Sequence, residues 1–497
     1  MEYVSTRDKS RKVSAAYAIA NGIAPDGGLY CPTEFPRLSH EDWKALCDMD
    51  YKGRSAFVLG KFLTDFTAEE LKSFADAAYA DEKFGGKNTA PMVKLADGKY
   101  MLELWHGPTC AFKDMALQML PHLLTASLKK TGETRTACIL VATSGDTGKA
   151  ALDGFADVDG TKIMVYYPVD GVSPMQKLQM TTQEGKNVEV VAIHGNFDDA
   201  QSAVKRIFID EATRADLDKN GLMLSSANSI NWGRLAPQIA YYISAYCDLI
   251  ATGEIKMGDP INVCVPTGNF GNILAAYIAK QMGMPVNKFI CASNRNNVLT
   301  DFFKKSGSYD KNRDFYTTTS PSMDILISSN LERLLFFVSG QNDKVVAELM
   351  GQLSTEGRYA LAKDLFEKIT ADFDAGCCDD AQTAETIKRL FDEEHYLADT
   401  HTAVAVRVYE MYRKQTCDKT PTVIASTASP FKFCRAVIEA LGGTLEQDDV
   451  TQMDVLTQLT GVAAPAPLSA LAGKTPRFDR VVDKSEILGT VELLKDL

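Results

Sequence analysis

From Ala137 onward the chain alternates short apolar runs with helical patterns, and this alternation restricts the fold more than any other feature. Cys138 to Ala142 reads as a buried strand, Thr143 to Gly148 as a loop, and Lys149 to Ala156 as a helix. Lys162 to Tyr167, Val188 to Ile193 and Leu222 to Leu224 repeat the strand pattern. Ser173-Pro174 starts a helix, since proline suits the first helical position. Asp198 and Asp199 open another helix, amphipathic through Ala200, Val204, Ile207 and Phe208, with the acids near its positive dipole end. A second block follows: a helix from Pro237 to Ile250, strands at Ile261 to Val265, Lys288 to Ala292 and Thr422 to Ala425, and a helix from Gly271 to Met282. Residues 300–415 read as mostly helical, with a polar stretch from Lys304 to Arg313. Repeated strand–helix units predict an α/β fold with parallel sheets covered by helices on both faces.

Residues 1–90 precede this alternation and read as a mainly helical extension, with helices at Val13 to Ile23, Glu41 to Leu46, Ala56 to Phe66 and Ala68 to Tyr79. Met92 to Leu95 and Tyr100 to Leu104 form a hairpin around Asp97-Gly98. After Gly442 a loop containing Ala463 to Pro467 leads to a short terminal helix. At 497 residues two or three domains are expected. The net charge of −12 argues against nucleic-acid and anionic-membrane partners. No apolar run is long enough to span a bilayer, and the first residues lack the apolar core of a signal peptide. Eleven scattered cysteines with no metal-ligand spacing, and six histidines in no cluster, predict reduced thiols, a cytoplasmic setting and no metal.

Lys113 falls where the turn at Gly107-Pro108-Thr109 hands over to a helix, between Phe112 and Asp114. Desolvation there favours the neutral amine, the form that attacks a carbonyl, although a lysine capping a turn has the same local pattern. Val265 to Asn272 reads strand, Gly-punctuated turn, helix: either a cradle for one phosphomonoester or an ordinary turn. Ala142 to Gly148 is a second such loop, whose Thr143, Ser144, Gly145 and Thr147 suit a carboxylate, or cap the next helix. In Ser225 to Arg234, Arg234 sits before a helix N-terminus and makes more sense with an anion between them. Lys177 is a second candidate for that anion. Ala425 to Phe433 ends the last sheet strand, where α/β folds bind ligands.

Taken together, Ser5-Thr6-Arg7, Asp26 to Leu29, His106 to Asp114, Ala142 to Gly148, Asn228 to Trp232, Pro266 to Asn272 and Ser320 to Asp324 resemble the threonine synthases, in the long form with an N-terminal extension. These belong to the fold type II (tryptophan synthase β-like) pyridoxal-phosphate enzymes. The resemblance implies an N-terminal domain at 1–90, a large domain at 91–112 and 226–497, and a small mobile α/β domain at 113–225, with a cleft between the two α/β domains. It implies Lys113 as the Schiff-base lysine, Gly268, Asn269, Phe270, Gly271 and Asn272 as the cofactor-phosphate loop, and Thr427 as the hydroxyl partner of the pyridine nitrogen. A hydroxyl does not hold a proton on that nitrogen, which moderates the electron sink. The implied reaction turns O-phospho-L-homoserine and water into L-threonine and phosphate, catalysed by a monomer or homodimer. Arg234, Asn231 and Lys177 are the residues expected to hold the substrate phosphate. Asp146 stands where much of the wider fold group has asparagine. A carboxylate there would repel the cofactor's ring oxygen, so Asp146 is expected to meet backbone amides or carry a raised pKa. The alternatives are a serine or threonine dehydratase, a non-catalytic metabolite-binding relative, or a simple nucleotide-binding module.

Overall fold

A computed structural model describes residues 1–143, 145–169, 172–195, 197–448 and 450–497, without the side chains of 197 and 198. Two open sheets carry the α/β part. The larger runs Phe373–Cys377, Val286–Ser293, Ile261–Pro266, Thr422–Ser426, Lys99–Glu103 and Met92–Lys94 in spatial order. All its neighbours are parallel except the edge strand Met92–Lys94, which pairs antiparallel with Lys99–Glu103 as the hairpin around Asp97-Gly98 requires. The smaller sheet is all parallel: Val481–Asp483, Val188–His194, Thr161–Pro168, Thr136–Ala142 and Leu222–Ser225.

Alternation along the strands places successive side chains in different cores. In the smaller sheet Ile139, Val141, Ile163 and Val165 face a core shared with the N-terminal helices and helix Trp232–Ala251. Cys138, Leu140, Met164 and Tyr166 face helix Phe197–Ile209 and the C-terminal residues. The other face of the larger sheet is covered by helix Thr400–Thr416.

The N-terminal extension does not keep a core to itself. The Trp232 ring lies 5.4 Å from Tyr3 and 5.7 Å from Phe62, and Trp43 lies 5.3 Å from Tyr246. Arg7 makes a two-pronged pair with Glu332 at 2.8 and 2.9 Å, and the Thr6 hydroxyl donates to the same carboxylate. Thr6 and Arg7 are therefore a clamp onto helix Leu331–Val338, while the Ser5 hydroxyl donates to Asp26 at 2.9 Å.

Several elements differ from expectation. The helix predicted from Pro237 starts at Trp232, capped by Asn231, with Pro237 inside it. The mostly helical stretch hides the edge strand Phe373–Cys377 and a small ribbon, Ser308–Asp310 with Arg358–Ala360. The tail holds a helix, Thr451–Thr460, and the strand Val481–Asp483 that returns to the smaller sheet. No helix among the described residues is long and apolar enough to cross a membrane.

Candidate active site

Every candidate loop lies at the C-terminal end of a parallel strand, where α/β sheets open a crevice. Lys113 ends the turn after Lys99–Glu103 and starts helix Asp114–Leu117. Neighbouring loops fix that turn: the Phe112 N–H donates to the Thr427 carbonyl (2.8 Å), and the Ser429 N–H to the Cys110 carbonyl (3.0 Å). The Asp114 carboxyl accepts from the Thr109 N–H at 2.8 Å and from its hydroxyl at 2.6 Å. The Lys113 side chain is 11% exposed and reaches to 3.7 Å from Asp146 Oδ2. Burial pushes its ammonium down to about 8; Asp146 pulls the other way, while Arg234 and Lys432 push further down. A usable fraction is then neutral near neutral pH, the form that attacks a carbonyl carbon.

Asp146 is not in the state expected of it. It contacts side chains rather than backbone amides: Lys432 at 2.8 Å, the Gln176 amide at 2.9 Å and the Ser322 hydroxyl at 3.4 Å, besides Lys113. Burial alone would raise its pKa, but Lys432 first and Lys113 second hold the carboxyl well below the usual range. Two lysines overcome the desolvation cost, so Asp146 is a carboxylate, not a proton donor. Lys432, whose side chain is fully buried, carries no local sequence signal of this role. The loop around Asp146 is pinned by Thr143, whose hydroxyl accepts from the N–H groups of Gly145 (2.9 Å) and Gly148 (2.8 Å). At Gly145 a Cβ would fall 2.3 Å from the Gln176 side chain, so the glycine lets Gln176 reach Asp146. Ser144 lies outside the described residues.

The turn after Ile261–Pro266 is built for an anion. Helix Gly271–Gln281 starts without a side-chain cap, and the preceding Phe270 takes a left-handed φ of 65°. The Phe270 ring is held in place against Phe303 and Phe373 at 6.1 and 5.9 Å. Asn272 Oδ1 accepts from Tyr241 at 2.9 Å and from Tyr242, which turns its N–H2 group the other way. That Nδ2 is buried with no partner among the described residues. An orphaned donor at an uncapped helix start fits a phosphomonoester. Asn269 is held by the Asn330 backbone and side-chain N–H groups, each at 3.0 Å from its carbonyl. A Cβ on Gly268 would come 2.8 Å from the Ser322 carbonyl oxygen, so Ser320 to Asp324 packs directly under this loop.

Arg234 lies in the first turn of helix Trp232–Ala251 and is 6% exposed. It donates to the Ala227 carbonyl at 2.9 Å and reaches the Thr147 hydroxyl at 3.5 Å. It pairs with no carboxylate among the described residues, and burial lowers its guanidinium to about 10. Asn231 has another occupation. Its Oδ1 caps Gly233 N–H (2.8 Å) and its Nδ2 donates to the Ile19 carbonyl (3.0 Å), so its amide is spent on the helix start and the N-terminal extension rather than on a phosphate. Lys177 is exposed on helix Pro174–Thr181, and no contact joins it to the Lys113 cluster. Thr427 is buried, its N–H donating to Thr402 Oγ1 at 3.3 Å and its carbonyl bonded to Phe112.

Three family models match the chain in order: the threonine synthase N terminus over residues 2–79, the pyridoxal-phosphate dependent enzymes over 98–427, and the threonine synthase C-terminal model over 402–488. The threonine synthase of Pseudomonas aeruginosa is 38% identical over 88% of this chain and 90% of its own length. Threonine synthase-like 1 of Homo sapiens is 40% identical over 96% of this chain, which spans 66% of that relative. A structure of threonine synthase from Brucella melitensis with bound pyridoxal phosphate superposes with a TM-score of 0.87 at 36% identity, covering 100% of this chain and 99% of that one. With its α/β fold of type II, the chain belongs to the threonine synthase family of pyridoxal-phosphate-dependent enzymes, whose cofactor is pyridoxal 5'-phosphate.

Proposed function

We propose that this chain is itself a threonine synthase, converting O-phospho-L-homoserine and water to L-threonine and phosphate. The observation that carries the reading is Arg234: a buried guanidinium without a carboxylate, beside Thr147 and close enough to depress the Lys113 ammonium. A family member acting on an unphosphorylated amino acid needs anion sites for the cofactor phosphate and the substrate carboxylate, but no third one for a substrate phosphate. Arg234 is assigned the substrate phosphate, with the exposed Lys177 of helix Pro174–Thr181 kept as the second candidate cation. The remaining amides of the Ser144–Thr147 loop are assigned the substrate carboxylate.

When bound, the cofactor supplies an aldehyde carbon for the amine and a conjugated ring that spreads negative charge developing beside it. Asn272, Gly268 and the start of helix Gly271–Gln281 would hold its phosphate, and the Thr427 hydroxyl would serve its ring nitrogen. Lys113 Nζ, neutral at mildly alkaline pH, takes the proton from the substrate Cα and then from Cβ. Arg234 stabilises the phosphate as the Cγ–O bond breaks; water adds a hydroxyl at Cβ, and its proton and the two taken from Cα and Cβ go to the leaving phosphate, to Cγ, which becomes the methyl group, and back to Cα. Asp146 stays ionised throughout and balances the charge beside Lys113. Residues 113–225 are proposed to move over this crevice as a unit, and strand Val481–Asp483 travels with them because it pairs with Val188–His194.

Steady-state kinetics test the reading. Purified protein with pyridoxal phosphate should release phosphate from O-phospho-L-homoserine with threonine formed in equal amount. Arg234→Ala should lower kcat/KM by about 30- to 1,000-fold, the cost of stripping one member from a buried charge pair. Turnover of serine or threonine with none of the phosphorylated substrate would replace it with a dehydratase.

A further inference from the structure

Lys432 takes no step in the chemistry above, yet its side chain is fully enclosed beside the Lys113 turn. It sits on the turn Pro430–Phe433, which follows strand Thr422–Ser426. With 0% of its side chain exposed, its Nζ lies 2.8 Å from Asp146 Oδ1 and donates to the Thr109 carbonyl at 2.8 Å. It thus ties the Lys113 turn, through Thr109, to the first residue of helix Asp146–Phe155. One carboxylate is thereby shared by two ammonium groups, Lys432 on Oδ1 and Lys113 on Oδ2.

We propose that Lys432 is a positioning residue that shares the Asp146 carboxylate with Lys113 and, by drawing on that one anion, sets the pH at which the Lys113 nitrogen changes protonation. The charged groups that face Lys113 are Asp146 from helix Asp146–Phe155, Arg234 from helix Trp232–Ala251, and Lys432 itself. Behind Lys432 the fields of Asp114 and Lys149 reach it as well. Removing Lys432 withdraws a cation and leaves the Asp146 charge turned wholly on Lys113, so the nitrogen holds its proton to higher pH. Removing the Asp146 charge does the reverse. The signs are opposite, and general loosening of the site does not produce opposite signs.

The inference rests on Lys113 bearing the cofactor, and the experiment separates the two. Holoenzyme is titrated from acid to alkali while its visible absorbance is followed. Lys432→Met should move the midpoint up by about one pH unit and Asp146→Asn should move it down by a similar amount, the size expected of one neighbouring charge. Lys432→Arg should restore the wild-type midpoint. In the double variant Lys432→Met, Asp146→Asn, the effect of the lysine should shrink to less than about half of its value with Asp146 present, because most of it passes through Asp146. An unmoved midpoint in Lys432→Met, or shifts of the same sign in both single variants, overturns the proposal. If Lys432→Met does not fold, Asp146→Asn alone decides, an upward or absent shift counting against it. If wild-type protein shows no visible band lost on Lys113→Ala, the role of Lys113 fails instead.

Discussion

After strand Ile261–Pro266, the helix that opens on the crevice carries an uncharged residue in its first turn, Asn272, whose Nδ2 finds no partner among the described residues. After strand Thr136–Ala142 the corresponding helix begins with Asp146, whose carboxylate finds two lysines. Both turns are short, glycine-bearing and parallel-strand-derived, and both offer a positive helix end. One leaves that end open, which is why the cofactor phosphate is proposed to lie there. The other supplies its own anion and uses it to order the cations Lys113 and Lys432. Two turns of similar backbone geometry therefore differ through the side chain in the first helical turn, uncharged Asn272 in one and Asp146 in the other.

Making the first turn resemble the second should give the largest effect. Asn272→Asp puts a carboxylate where the cofactor phosphate is expected, and like charges at that range cost several kcal/mol. Fluorescence titration of apoprotein should show affinity for pyridoxal phosphate falling by about 100- to 1,000-fold. An affinity within about threefold of wild type would place the phosphate elsewhere.

A smaller, graded effect comes from Lys113. Because its folded value is depressed to about 8, the neutral amine dominates above that pH and is depleted below it. Stopped-flow capture of pyridoxal phosphate by apoprotein should reach a plateau above about pH 8 and slow by roughly tenfold per unit below it. A rate still climbing through pH 10 would mean that Lys113 titrates as a solvated lysine.

Asn231→Ala should give the smallest effect and sharpens the contrast from outside the two turns. It removes a helix cap and the bond to Ile19, so the protein should lose about 1–2 kcal/mol in urea unfolding, with kcat and KM for O-phospho-L-homoserine unchanged. A raised KM would return Asn231 to the phosphate.

What was legible in the chain and what was not divides along the range of the interactions. Strands such as Cys138 to Ala142 and the hairpin around Asp97-Gly98 announce themselves because local apolar runs and turn residues specify them. Lys113 is legible for the same reason, as a lysine at a turn-to-helix junction. The Asp146 state is not, since it depends on Lys432, which arrives from the far end of the chain by way of the larger sheet. Asn231 is misread because an asparagine before a helix has the same pattern whether it caps or binds. Val481–Asp483 and Phe373–Cys377 escape notice because one is three residues long and the other carries Asp374 and Gly376; each is held in the strand state by a neighbour that sequence does not name. The N-terminal clamp on Glu332 is likewise a long-range pair, although its residues stand out as a motif.

The central claim is that one amine, Lys113 Nζ, carries the cofactor whose phosphate lies on the Gly268–Asn272 turn. Borohydride reduction of the holoenzyme followed by proteolysis and mass spectrometry tests it directly. The account predicts a single pyridoxyl-phosphate adduct, on the peptide containing Lys113, absent from Lys113→Ala. An adduct on Lys432, Lys149 or any other lysine of active protein, with Lys113 unmodified, would contradict it.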